Sequence, residues 1–350
     1  MIMINFCLPR SVRIKLNSRN TTKKQDKDYT AEVDSGQLVR ALKILKRELG
    51  IYRAHFTGGE PFFYKALVPL LKETKKIGFY NALTTNGQFD AKIINFLKKA
   101  GLDSVNFNLN AINPKDAEKI ALLRKPNLDS INFGLNAIDP YAFYNMEYVP
   151  FKVNSMDNQG NYNIEQAMKN IVMASKYVGT KINCVVNDNS ISASKVLDFC
   201  MQNKIKLRFL NNLELGDIAL DNIRLVIKEN GAELIGHEIT LISSSHRLDY
   251  KINSYQFGVK CIRKFFLQSL CKNCNLKNTK KCLEGFYGIR LEDNPLRVRL
   301  CLNKNKVPYV QDFDKFLKSE QFKEIKTMTA CVSQYLKKDS IIDEQKNLKV

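Results

Sequence analysis

The sequence predicts an α/β fold built on a parallel sheet. Three observations carry that expectation. Short apolar stretches alternate with helix-like segments of 10–15 residues, the pattern of strand–helix–strand crossovers. Helix-like segments stop at Gly50, Gly78 and Gly101. A two-glycine turn, Phe56-Thr57-Gly58-Gly59-Glu60-Pro61, joins an apolar run to a helix-like segment. Paired glycines there let the backbone approach a ligand, Glu60 can face an ammonium, and Pro61 stiffens the exit.

Residues 11–17 alternate apolar and polar, as a half-buried strand does. Residues 18–30 are polar and charged and read as a loop. Asp34 or Ser35 caps a helix carrying Leu38, Leu42, Leu45 and Leu49. Arg53 to Phe56 forms the second strand. A helix over 64–76, a strand over 79–84, a helix capped by Asp90 and a strand from Ser104 to Leu109 follow. Then come a helix near 163–178, a strand Lys181 to Val186, a helix near 192–202 and a strand Lys206 to Leu210. Ligands in such sheets sit at the carboxyl ends of strands, where Gly58, Asn86, Asn110, Asn187 and Asn211 fall. Past residue 212 the alternation fades. Residues 232–254 read as β-rich with Ser243-Ser244-Ser245 as a turn, and 312–337 as a basic helix.

One segment is duplicated. Residues 102–114 recur as 128–140, identical at 10 of 13 positions. One copy is expected in the sheet and the other displaced from it. Domains are expected at 1–230 (the barrel-like part), 231–315 (a cysteine-bearing extension) and 316–350 (a helical tail).

At 350 residues and 44% hydrophobic content the chain can bury a large core. No apolar run reaches membrane-spanning length, and the N-terminus lacks a secretory pattern, so a cytoplasmic protein with no membrane partner is expected. The net charge of +20 suits phosphates or RNA. RNA is not favoured, because the basic runs lack interleaved aromatics and read as solvated helix faces.

Nine cysteines include Cys271, Cys274, Cys282 and Cys301 within one short segment. That density points to a metal site, either a 4Fe–4S cluster or zinc, and spacing does not choose between them.

The Gly58-Gly59-Glu60-Pro61 string resembles the S-adenosylmethionine-binding turn of radical SAM enzymes, most closely the GTP 3′,8-cyclase-like branch. The similarity extends, in order, through Val12-Arg13-Ile14, Phe56 to Pro61, Thr84 to Gly87, Ala100 to Asn106, Lys181 to Val186, Leu207-Arg208-Phe209, Cys271-x-x-Cys274 and Arg299 to Leu302. It covers roughly residues 11–304. The resemblance implies a partial (β/α)6 barrel with a C-terminal extension carrying an auxiliary iron–sulfur cluster. It implies S-adenosylmethionine near Thr57, Gly58, Gly59, Glu60, Pro61, Thr85 and Asn86. It implies that Lys181, Arg208 and Arg290 face a small-molecule or nucleotide substrate, with Gly288 standing where a further arginine is usual.

The chain departs from that family in its first loop. The family carries C-x-x-x-C-x-x-C there, the ligands of the cluster that cleaves S-adenosylmethionine, whereas Ser18 to Asp28 contains no cysteine. Asn20, Lys24 and Lys27 do not substitute for thiolates on iron. The expectation is a radical-SAM-like protein whose catalysis is impaired. The alternatives are a radical tailoring enzyme with atypical cluster ligation and a metal-stabilised module that binds RNA or a partner.

Overall fold

The structure is a computed structural model, and it describes residues 3–16, 35–58, 60–89, 92–109, 164–188, 190–293 and 295–347. The loop at 18–30, the caps Asp34 and Asp90, Gly59, Asn110 and the second repeat copy, 128–140, lie outside the described residues.

Six parallel strands form the centre: β2 (Ser11–Leu16), β3 (Arg53–Gly58), β4 (Tyr80–Thr85), β5 (Leu102–Asn108), β6 (Gly179–Val186) and β7 (Lys206–Asn211). They pair in sequence order, each parallel to the next. This is the curled half-barrel of a partial (β/α)6 fold, as expected. The first repeat copy takes the sheet position as β5, between β4 and β6.

Alternation in each strand decides which face is wet. Val12, Ile14 and Leu16 of β2 are fully or almost fully buried. They belong to one core with Leu38, Leu42 and Leu45 of α1 (Ser35–Leu49). Their neighbours Arg13 and Lys15 point the other way, into the lumen. Helices α2 (Leu67–Lys76), α3 (Lys92–Lys99), α4 (Ile164–Ser175) and α5 (Ser190–Gln202) pack on the convex side.

Two findings depart from the sequence expectations. The alternation does not fade at 212: a further helix, α6 (Asp217–Glu229), packs on β6 and β7. Its apolar period is blurred because Ile218 and Leu225 are exposed. An N-terminal strand, β1 (Met3–Cys7), adds to the sheet although its Ile4 and Phe6 are exposed.

The extension continues the sheet rather than forming a second layer. Strands β8 (Glu233–Thr240), β9 (Ser245–Ile252) and β10 (Tyr255–Ile262) form an antiparallel meander, and β10 runs parallel to β7. At the opposite edge β11 (Arg290–Glu292) pairs parallel with β2, and β12 (Arg297–Arg299) and β13 (Val310–Asp312) follow it. A chain that leaves one edge of the half-barrel therefore returns at the other. Helix α7 (Gln268–Cys271) lies on that path. Helices α8 (Phe313–Lys318) and α9 (Glu320–Asn347) then pack back on the first half. Arg40 pairs with Asp314, Glu48 with Lys326, and Glu324 takes the amides of Gln268 and Ser269.

Candidate functional site

The turn after β3 is closed on itself. Gly58 has φ +148°, and a Cβ there would lie 2.2 Å from the Leu16 carbonyl oxygen, so glycine is required by the close approach of β2. Pro61 opens a short 3₁₀ turn, Pro61–Phe63. Glu60 caps it and is almost fully buried. Its carboxylate accepts from the Thr85 hydroxyl (2.8 Å), the Asn86 amide (2.9 Å) and the Phe62 amide (3.4 Å). Burial raises the Glu60 pKa to about 7 against the opposing pull of those donors. The structure thus joins Glu60, Thr85 and Asn86 in one network, with Thr57 half-buried beside Lys15 in the sheet. The Glu60 carboxylate also braces the ends of β3 and β4.

The lumen floor is polar. His55 Nε2 lies 2.5 Å from Thr84 Oγ1 and 3.2 Å from Asn106 Nδ2. Burial, then the charges of Arg13, Lys181 and Arg208, hold His55 well below its ordinary pKa, so the imidazole is neutral. As a neutral ring its Nε2 accepts from Asn106, which places the proton on Nδ1.

Cations line the walls. The pairing register sets Arg290 opposite Arg13, Arg13 opposite His55, and Asn183 opposite Arg208. Lys260 enters from β10, next to β7. Burial lowers the Lys181 pKa to about 7, with Arg208 and Arg53 adding repulsion. Arg13, Arg208 and Lys260 are lowered too, burial first in each case. Arg290 is buried and bonds Glu284 at 2.8 and 3.0 Å through Nη2. Its Nε and Nη1 have no protein partner. Buried guanidinium donors without acceptors are costly, and an anion in the lumen relieves that cost. Lys181, Arg208 and Arg290 thus face one space. Lys260, Arg13 and Tyr287 belong to it as well, and sequence reasoning missed them. Only their parity on strands β2 and β10 could have signalled two of the three.

The four clustered cysteines come into one neighbourhood, all as free thiols. The Cys274 amide donates to the Cys271 carbonyl at 3.2 Å. Burial, then the nearby charges of Cys274, Cys301 and Cys282, push the Cys271 thiol up to about 11. Cys301 is raised by burial, Glu284 and Cys282. Among the described residues no three His, Cys, Asp or Glu side chains converge closely enough to hold a metal ion. The donor chemistry, four thiols that repel one another once ionised, suits a cationic group. Their arrangement is a gathered set and not a closed one.

Residues 5–120 match the model of the Radical SAM superfamily. A GTP 3′,8-cyclase of Lactiplantibacillus plantarum is 26% identical over 243 residues, covering 65% of this chain and 60% of the relative. A GTP 3′,8-cyclase of Petrotoga mobilis is 44% identical over 69 residues, 19% of this chain and 21% of the relative. SuiB of Streptococcus suis, solved bound to S-adenosylmethionine, superposes with a TM-score of 0.50 at 14% identity, covering 89% of this chain and 64% of that one. The chain thus spans about 60% of the length of the first curated relative, and the likeness to SuiB is one of fold. Among the described residues no helix is long and apolar enough to cross a membrane.

Proposed function

We propose, on the premise that this chain is a member of the radical SAM superfamily through residues 5–120, that it binds a phosphate-bearing small molecule in the barrel lumen and does not itself start radical chemistry. One observation carries the binding half of this reading: buried Arg290 keeps two unpartnered donors in a lumen shared with Arg13, Lys181, Arg208 and Lys260. Five cations around one space suit a polyanion, and guanidinium forks suit phosphate oxygens. The GTP 3′,8-cyclase relatives make a nucleoside triphosphate the first ligand to test.

The second half rests on the chain itself. A superfamily cluster, when bound, supplies the electron that breaks the carbon–sulfur bond of S-adenosylmethionine. Residues 17–34 contain no cysteine, and Cys7 is the only thiol before Cys184. One thiolate does not replace three, so the residues present do not fit that cluster. S-adenosylmethionine, if bound, lies at the β3 and β4 ends near Thr57, Gly58, Pro61, Thr85 and Asn86, with Glu60 holding that rim in shape. Cys271, Cys274, Cys282 and Cys301 are the residues that would hold an auxiliary 4Fe–4S cluster or zinc, after closing from the gathered arrangement seen here.

Anaerobic reconstitution with iron counting tests the cluster assignment. About four irons per chain and no 5′-deoxyadenosine support it. About eight irons with S-adenosylmethionine cleavage sinks it and restores the tailoring-enzyme reading. Calorimetry with a nucleoside triphosphate at low and high salt tests the lumen, and salt-sensitive binding lost in Arg208→Ala is the expected result.

A further inference from the structure

The three consecutive serines of the β8–β9 turn hold a segment more than forty positions away along the chain. Ser243 Oγ donates to the Tyr287 carbonyl at 2.7 Å. Ser244 donates to the Phe286 carbonyl through both Oγ (2.9 Å) and its amide (2.8 Å). Tyr287 Oη in turn donates to Ser245 Oγ, at 3.3 Å. Ser243 and Ser244 are buried. Gly285, at φ +65°, lets the segment approach: a Cβ there would lie 2.5 Å from the Phe265 carbonyl oxygen. This is a built support, and what it presents is one side chain, Tyr287.

The Tyr287 ring is held by cations from three strands. Lys260 Nζ stands 4.1 Å from the ring centre, Arg290 Cζ 5.6 Å and Arg13 Cζ 5.9 Å. Such contacts fix the ring and leave the hydroxyl at its edge. The ring is half-buried; the hydroxyl's bond to Ser245 is long, and Lys260 is a second side-chain hydrogen-bond partner. The guanidinium over the ring carries the unpartnered Nε and Nη1 of Arg290.

We propose that Tyr287 is a ligand-contacting residue of the lumen, its phenol O–H donating to a phosphate oxygen, and that the Ser243–Ser245 turn is the device that positions it. The proposal rests on the reading of the lumen as a phosphate site. Exchanging a 3.3 Å hydroxyl contact for a charged oxygen favours the ligand, since hydrogen bonds to charged acceptors are the stronger kind.

The surrounding charges add a pH signature. Facing Tyr287 are Lys260 from β10, Arg13 from β2, Arg208 from β7 and Arg290 from β11, with Glu284 as the carboxylate beside Arg290 and within reach of Arg13 and Lys260. Burial acts to raise the phenol, but Lys260, Arg13, the Ser245 hydrogen bond and Arg208 bring it to about 7. Below that pH the phenol donates to phosphate; above it the phenolate repels phosphate. Lys181, also near 7, loses its positive charge over the same range. Both effects lower anion affinity as pH rises, and binding at neutral pH takes up protons at both groups.

The experiment uses the full chain and inorganic triphosphate, by calorimetry at about pH 6 and about pH 8, on either side of these groups. In Tyr287→Phe binding is expected to weaken about tenfold at the lower pH, the loss of one hydrogen bond to a charged acceptor. Its affinity changes less with pH than that of the native chain, and fewer protons are taken up. Ser243→Ala and Ser245→Ala fall between the two. The chain has no tryptophan, so the ultraviolet tyrosinate band is readable without ligand. One tyrosine ionising near neutrality in the native chain and missing in Tyr287→Phe is the expected spectrum. Equal affinity and an unchanged pH profile in Tyr287→Phe overturn the role given to Tyr287 while leaving the phosphate site standing. Absence of triphosphate binding in the native chain overturns both.

Discussion

The two ends of the lumen differ in how completely they satisfy themselves. At the β3–β4 rim, the residues of the most recognisable motif are closed by protein donors: Glu60 accepts from Thr85, Asn86 and Phe62. At the β2–β11 wall no short motif is present, and there buried Arg290 keeps free donors beside Arg13, Lys260 and Tyr287. The conspicuous motif thus also braces the rim, while the buried donors left without partners lie where distant segments meet. The physical difference is that a turn can satisfy its polar groups locally, whereas like charges brought from separate strands cannot neutralise one another.

That contrast can be broken at either end. The largest effect is expected from Arg290→Ala, which leaves Glu284 buried without its cation. A loss of about 3–5 kcal/mol in denaturant unfolding is expected, and a change under one would show that Glu284 relaxes to solvent. Gly58→Ala places a Cβ against the β2 backbone at a φ hostile to side chains. About 3 kcal/mol is expected from strain and overlap, read as a drop in the unfolding midpoint.

Glu60→Gln should act through pH. The Glu60 pKa is raised by folding from the ordinary 4.5 to about 7, so the native state favours the protonated form. Its contribution is fully present below about pH 4.5 and is lost as pH rises through about 7, an effect of roughly 3 kcal/mol. The glutamine variant should flatten that part of the stability profile; a profile that keeps its slope would place the titration elsewhere. The smallest effect is expected from Tyr64→Phe. Tyr64, just after the 3₁₀ turn, donates to Asp293 at 2.6 Å, and the Asp293 amide donates to the Lys15 carbonyl. Removing this buried link between rim and wall should cost roughly 1 kcal/mol. The cost should grow when it is combined with Gly58→Ala if the two regions are coupled.

Much of the fold was legible because it is local. Leu38, Leu42 and Leu45 announce α1, alternation announces β2, and Gly50, Gly78 and Gly101 mark helix ends with positive φ. The helix α6 was not legible, because exposed Ile218 and Leu225 spoil its apolar stripe. Strand β1 was missed for a related reason: Ile4 and Phe6 are apolar but exposed, so its burial does not alternate. Of the site, Lys181, Arg208 and Arg290 were named in advance through resemblance and do share one space. Tyr287 and Lys260 were not, since neither carries a pattern of its own.

By itself the sequence determined the strand–helix alternation, the two-glycine turn between strand and helix, the thiols available for a metal and their absence from the first loop. These follow from backbone sterics, side-chain period and composition, which act over a few residues. Only the tertiary structure decided that β11 returns to the open side of β2 and sets Arg290 across from Arg13. It also decided that three serines from one hairpin aim Tyr287 at those cations. Pairing register acts across hundreds of residues, and no local preference in the chain encodes which charges will face each other.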